Sequence, residues 1–398
     1  MTTELDARVA DWRADTEGCA NVVHFNNAGS SLPPRPVLAA VIDHLRLEAT
    51  MGGYEAAEVA APALADVPAA IAALINSDRS EIALVENATR GWDMAFYSIP
   101  FVPGDTIITG VAEYASNYLA FLQVRERRGV EIVVCPDDSA GQIDVDALEG
   151  LCDGRTRLIA ITHAPTNGGL VNPAAEIGRI AREREVLYLL DACQSVGQLP
   201  IDVEAIGCDF LSATGRKFLR GPRGTGFLYA NRSTTAGLHP PFIDLHAATW
   251  TSRDEYRLAG DATRFENWES YVAGRLGLGV AARYALDIGL DVIAARIAYL
   301  SARLREELAG VAGITVRDKG TRQSGIVTFS HKVVEPSVIK AELGRRSINV
   351  SVSSRTSTRL DFDARDIDSV VRASVHYFNT DDEVDALMAA VREIVGSR

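Results

Sequence analysis

Ser212-Ala-Thr-Gly-Arg-Lys217-Phe-Leu-Arg-Gly-Pro-Arg-Gly-Thr-Gly-Phe-Leu-Tyr229 places one lysine between two short apolar runs. Residues 210–213 and 226–229 have the length and composition of strands, so Lys217 falls just past a strand end and before a glycine-rich turn. At the carboxyl edge of a sheet an amine is desolvated enough to act as a nucleophile. Most lysines are simply solvated, and what changes the reading is an upstream run, Val186-Leu-Tyr-Leu-Leu-Asp191-Ala-Cys-Gln194-Ser. It is an apolar strand that ends in a carboxylate. Strand-end aspartates are common turn and cap residues, but a strand-end acid paired with a strand-end lysine suits pyridoxal 5'-phosphate (PLP). The amine bonds the aldehyde as a Schiff base, and the acid charges the pyridine nitrogen, which makes the ring an electron sink.

Outward from these two runs, short apolar segments alternate with helical periods. Residues 81–85, 105–109, 131–134, 158–162, 186–190, 210–213 and 226–229 read as strands, and 90–99, 117–128 and 173–184 as helices. The alternation predicts an α/β layer with a mainly parallel seven-stranded sheet, whose ligands collect at the strands' carboxyl ends. In Val85-Glu-Asn-Ala88-Thr89-Arg-Gly-Trp a strand gives way to a helix whose first turn holds Ala88 and Thr89. Free N–H groups and a hydroxyl there make a phosphate cradle, although threonine also caps helices that bind nothing. Residues 271–311 read as one or two long helices; 325–329, 347–352 and 371–375 are strand-like, and 335–344 and 381–394 helical.

With 398 residues the chain exceeds one usual core. The expected division is an N-terminal arm (1–20), a large PLP-binding domain (21–280) and a smaller α+β domain (281–398). A net charge of −13 argues against nucleic acid as a partner and favours a small molecule. The start, MTTELDARVADWRADTEG, is acidic where a secretion signal is basic, and no apolar run in the sequence reads as membrane-spanning, so a cytoplasmic protein without a membrane partner is expected. The five cysteines, Cys19, Cys135, Cys152, Cys193 and Cys208, form no C-x-x-C pair, which signals neither a disulfide framework nor a metal site.

In this order, the helix-opening threonine, an aromatic platform, Asp-x-x-Gln and Thr-Gly-x-Lys resemble the class V aminotransferase family of fold type I PLP enzymes, which includes cysteine desulfurases. The resemblance runs from about residue 21 to 393. It implies that Tyr114, in Ala112-Glu-Tyr-Ala-Ser-Asn117, stacks on the ring where the family usually has histidine, and that Gln194 bonds the phenolic oxygen. It also implies phosphate contacts from Thr214 and Arg216, a substrate or cofactor contact from Thr166 or Asn167, and Asn27 beside the active site in the segment that opens the fold. Arg372, in Val371-Arg-Ala-Ser-Val-His-Tyr-Phe-Asn379, would hold the α-carboxylate of an amino acid substrate as a bidentate pair. A homodimer with shared sites is a further implication.

Two departures shape the functional expectation. Desulfurases carry a nucleophilic cysteine on a loop of the small domain, where this chain has Ser353, Ser354, Arg355, Thr356 and Ser357, and no cysteine follows Cys208. The threonine that reaches the partner's phosphate has only Ser270 as a counterpart. The segments His44-Leu-Arg-Leu-Glu-Ala-Thr-Met-Gly-Gly-Tyr54 and Arg216-Lys-Phe-Leu-Arg-Gly-Pro-Arg-Gly224 further resemble hercynylcysteine sulfoxide lyase-type C–S lyases. The expected function is therefore a C–S lyase that acts by β-elimination on a cysteine S-conjugate without a persulfide cysteine. The alternatives are an isopenicillin N epimerase-like epimerase, a class V aminotransferase or an atypical cysteine desulfurase. No G-x-G-x-x-G follows the early strands, which disfavours a dinucleotide oxidoreductase.

Overall fold

The computed structural model describes residues 2–396. Seven strands form one sheet in the spatial order Ile82–Val85, Gly226–Ala230, Phe210–Thr214, Leu187–Asp191, Thr156–Thr162, Thr106–Gly110 and Glu131–Cys135. Every pair from Phe210–Thr214 to Glu131–Cys135 is parallel, and Gly226–Ala230 runs antiparallel to both its neighbours. The fold is thus the mainly parallel, seven-stranded sheet that the alternating sequence predicts, in the fold type I architecture that the family resemblance implies. Thr106–Gly110 and Phe210–Thr214 are buried at every position, because helices cover both faces of the sheet.

Register decides what reaches the carboxyl edge. Thr162 pairs with Asp191, and Asp191 with Ser212, so three adjacent strands bring polar side chains to one line near the carboxyl edge. Just beyond it, the turn that carries Lys217 is closed by backbone bonds from Gly215 to Thr225, Gly221 to Gly215 and Arg220 to Lys217. Gly197 packs beneath this turn with φ +90°; a Cβ there would lie 2.4 Å from the Phe218 carbonyl carbon, so only glycine admits the approach.

The second part of the chain builds an antiparallel sheet, Ile314–Val316, Ile326–His331, Ser369–Ser374 and Ser351–Ser354, with the helices Pro336–Arg345 and Asp381–Gly396. The single strand expected at 347–352 is split. Ile348–Asn349 pairs with Val23–His24 near the N-terminus, and Ser351–Ser354 pairs with Ser369–Ser374. The long helical stretch is broken at Gly289 into Val272–Ile288 and Leu290–Ala309. An exposed hairpin, Ala248–Ser252 with Glu255–Leu258, has no counterpart in the sequence reading, since it lacks a buried alternating face.

Gly52, at φ 101°, separates the helices Arg35–Met51 and Gly53–Ile75. Gly53–Ile75 is long and apolar enough to cross a membrane, contrary to the expectation that no run reaches that length. Here it lies in the fold. It contains Pro62 and Pro68, and its Val67, Ala70, Ile71 and Leu74 join the same core as Leu278, Ala281 and Ala282.

Arg220 ties three segments together. Its buried guanidinium donates to Leu32 O (2.8 Å), Thr16 Oγ1 (2.5 Å) and the Tyr377 hydroxyl, and lies 4.4 Å from the Phe378 ring centre. Arg220→Met removes the donors and strands these acceptors, so a loss on the order of 3 kcal/mol is expected. A urea unfolding midpoint that stays at the wild-type value would contradict this.

Candidate active site

The carboxyl edge opens into a cleft with about 610 Å³ of space between atoms. Asp191 and Lys217 both line it, as do Ala88, Thr89, Tyr114, Thr166, Gln194, Thr214 and Arg216. The two groups on which the cofactor reading depends therefore face one cavity. Asn87 caps the helix Ala88–Phe96 by accepting the Arg90 N–H at 2.9 Å, which leaves the first-turn N–H groups at Ala88 and Thr89 without helical partners. Thr214 ends its strand beside them, and half-buried Arg216 adds a cation.

Asp191 is buried and accepts from Asn117 Nδ2 and from the Cys193 N–H, both at 2.9 Å. Burial pushes its carboxyl upward, against these two bonds and the nearby Lys217 charge. Burial likewise pulls the Lys217 ammonium below its usual range; Arg216 and Arg372 push the same way, while Cys193 and Asp191 resist. An amine that loses its proton readily is what carbonyl attack and proton transfer need. Gln194 Nε2 donates to Ala28 O (3.1 Å) and Thr166 Oγ1 (3.3 Å), and its Oε1 is buried without a partner.

Arg372 does not line the cleft itself but reaches its edge. Nη1 donates to Thr166 Oγ1 (2.6 Å) and Thr166 O (3.2 Å), and Nε to Ser351 Oγ (3.0 Å). Burial lowers this guanidinium to about 10. Two of the expected contacts lie elsewhere. Asn27 spends its amide on Ser374 O (2.7 Å) and His24 O (3.3 Å) and its carbonyl on Ser31 (2.7 Å), so it braces the chain and does not face the cleft. Asn167 donates to Ser357 Oγ (3.0 Å) and Thr358 Oγ1 (2.8 Å), which leaves Thr166 as the cleft residue of the pair.

Asn117, Cys193, Thr162, Asn87 and Trp92 also line the cleft and were not anticipated as site residues. Behind them sits Glu113, which accepts from Thr109 Oγ1 (3.0 Å), the Tyr114 N–H (3.0 Å), Asn117 Nδ2 (2.8 Å), the Thr162 N–H (3.2 Å) and Thr162 Oγ1 (2.5 Å). The available signal was local: Glu113 and Asn117 stand four residues apart around the tyrosine. Among the described residues no cluster of three or more His, Cys, Asp or Glu could hold a metal ion.

The chain belongs to the aminotransferase class-V family, whose model matches residues 23–387. A probable cysteine desulfurase of Methanothermobacter thermautotrophicus is 30% identical over 396 residues, covering 98% of each chain. The cysteine desulfurase of Dickeya dadantii is 30% identical over 345 residues, 84% of this chain and 82% of its own. The apo structure of a cysteine desulfurase from Thermococcus onnurineus superposes with a TM-score of 0.91 at 25% identity over 98% of both chains. The protein is a PLP-dependent enzyme of this family. These relatives overturn the expectation of a β-eliminating C–S lyase. That reading rested on the missing loop cysteine and on the likeness of the segments 44–54 and 216–224 to C–S lyases.

Burial raises Glu113 to about 7. Because this folded-state value lies above the unfolded one, about 4.3, the contribution of Glu113 to stability is full below pH ~4 and is lost as pH rises through ~7. The melting temperature of the apoprotein should therefore fall less steeply between pH 5 and 7 in Glu113→Gln than in wild type. Parallel pH profiles for the two proteins would refute this assignment.

Proposed function

We propose that the protein is an atypical cysteine desulfurase that takes sulfur from free L-cysteine and hands it to a thiol that is not its own loop residue. The carrying observation is that the lysine and aspartate share one cleft in a chain whose full-length relatives are named cysteine desulfurases. When bound, PLP supplies an aldehyde for amines and a sink for the charge that develops at the substrate's α-carbon.

The residues fit that group. Lys217 would bond the aldehyde, Asp191 would keep a proton on the ring nitrogen, and Tyr114 would flank the ring. The unpartnered Gln194 Oε1 would accept from the phenolic hydroxyl. The N–H groups of Ala88 and Thr89, the Thr214 hydroxyl and the Arg216 cation would hold the phosphate. Arg372 would bind the substrate carboxylate, with Thr166 steadying its guanidinium. Once released, Lys217 Nζ, whose hold on its proton burial weakens, moves the α-proton.

At the sulfur, a thiolate attacks the substrate Sγ. A new S–S bond forms, the Cβ–S bond breaks with its electron pair remaining on carbon, and Cβ gains a proton. L-cysteine and R–SH give L-alanine and R–S–SH. The thiol comes from outside, because the segment that carries the nucleophile in desulfurases is serine- and threonine-rich here and is tied down. Arg355 binds Asp363 and Asp368, each at 2.9 Å, and Ser357 Oγ donates to Ser354 O at 2.8 Å.

We read the active form as a cytoplasmic homodimer. The five cysteines are free thiols, and Leu245, Trp250 and Trp268 of one surface segment are 75%, 72% and 60% exposed, an apolar display that a second copy would cover.

Incubated with L-cysteine and dithiothreitol, the holoenzyme should release alanine and sulfide in equal amounts, with a rate that rises with added thiol. Pyruvate and ammonia in place of alanine would defeat the proposal. Lys217→Ala should lose both the turnover and the visible absorption band of the lysine-bound cofactor, and a band retained in that variant would move the aldehyde to another amine.

A further inference from the structure

The Asn117 amide nitrogen has two hydrogens, and both go to carboxylates: Glu113 Oε1 at 2.8 Å and Asp191 Oδ2 at 2.9 Å. Two buried acids are thus joined through one side chain at the floor of the cleft. Glu113 is held by five donors from three directions. Thr109 comes from the strand Thr106–Gly110, Thr162 from the end of Thr156–Thr162, and Asn117 and the Tyr114 N–H from the start of the helix Ala115–Arg128.

No cation pairs with Glu113 among the described residues. The charged or titratable group that acts on it is Asp191, with Lys217 and Cys193 beyond; the strands on either side present only threonines. A carboxylate buried with donors but no counter-charge needs a reason for its place. The nearest one is the position opposite Asp191, where the cofactor's ring nitrogen would carry its proton.

We propose that Glu113 is a positioning residue for the cofactor. It orients the Asn117 amide, which fixes the rotamer of Asp191, and it sets a second carboxylate behind the one that faces the ring nitrogen. Asn117 cannot turn without breaking a bond to one acid or the other, so Asp191 is locked by a side chain that is itself locked. Glu113 touches neither cofactor nor substrate and acts only through this chain of bonds. The inference rests on the placement of Asp191 at the ring nitrogen proposed above, and is independent of the identity of the sulfur acceptor.

The test uses PLP-reconstituted holoenzyme and reads the pH midpoint of the visible cofactor band together with cysteine turnover. With Asp191 less firmly held, the ring draws less charge, so the Lys217 nitrogen keeps its proton to higher pH. Glu113→Gln should raise the midpoint by about one unit. It should lower kcat about 10-fold, the scale seen when outer-shell partners of catalytic ligands are removed, with KM for cysteine changed less than about two-fold. Asn117→Ala should move the midpoint the same way, and the double variant should go no further than the larger single effect, since both act through one path.

A Glu113→Gln holoenzyme with the wild-type midpoint overturns the inference, even if its melting temperature falls, because that pattern marks a purely structural acid. Should Glu113→Gln fail to fold, Asn117→Ala decides in the same way. Asp191→Asn is the control for the underlying reading. If it leaves the midpoint unchanged, the placement of Asp191 is wrong; if it shifts the midpoint while the other two variants do not, only the role of Glu113 falls.

Discussion

Keeping a carboxylate out of water at the tip of the strand Leu187–Asp191 is the constraint around which the rest of this structure is arranged. Burial alone would drive Asp191 neutral, and a neutral acid could not hold a cationic ring. The chain answers with fixed donors: the N–H of Cys193, two residues on, and the amide of Asn117 from a neighbouring helix. The second depends on the parallel register that sets Thr162, Asp191 and Ser212 side by side. A one-residue slip in that register would turn the acid to the other face of the sheet. The lysine turn, the threonines beneath Glu113 and the cap at Asn87 all follow from where these strands end.

Much of this was legible in the sequence because it obeys a period or a spacing. Buried parallel strands announce themselves as apolar runs, and Asp191 and Lys217 stand at the ends of two of them. The helix start at Ala88 and Thr89 was visible as a strand giving way to a helix. The choice between Thr166 and Asn167 was not, because adjacent loop residues carry no period. In the structure the backbone turns through positive φ at Gly168 and Gly169, Asn167 bonds Ser357 and Thr358, and Thr166 lines the cleft. Asn27 was misplaced for a related reason: its neighbours mark the segment but say nothing of which way one amide points. Glu113 and Asn117 escaped notice because a buried polar pair looks like any helix-start pair until its partners from other strands are known.

The functional expectation failed on a different point. The loop without cysteine was read as evidence about the whole reaction, whereas in the reaction proposed above it concerns only where the sulfur goes. The groups that would bind the amino acid and move its α-proton sit on other elements and are indifferent to that loop. Full-length kinship with proteins named cysteine desulfurases therefore weighs more than one absent nucleophile. The substitute segment is fastened by the contacts of Arg355 with Asp363 and Asp368.

Arg220 couples parts of the chain that the active site never touches. It lies three residues beyond Lys217 in a left-handed backbone conformation, yet its guanidinium is satisfied by Thr16 at one terminus and Tyr377 near the other. Removing the chain through Thr16 would deprive that cation of one acceptor. A truncation that reaches Thr16 is consequently not a neutral change in this enzyme, because it unpairs a buried cation three residues from the amine.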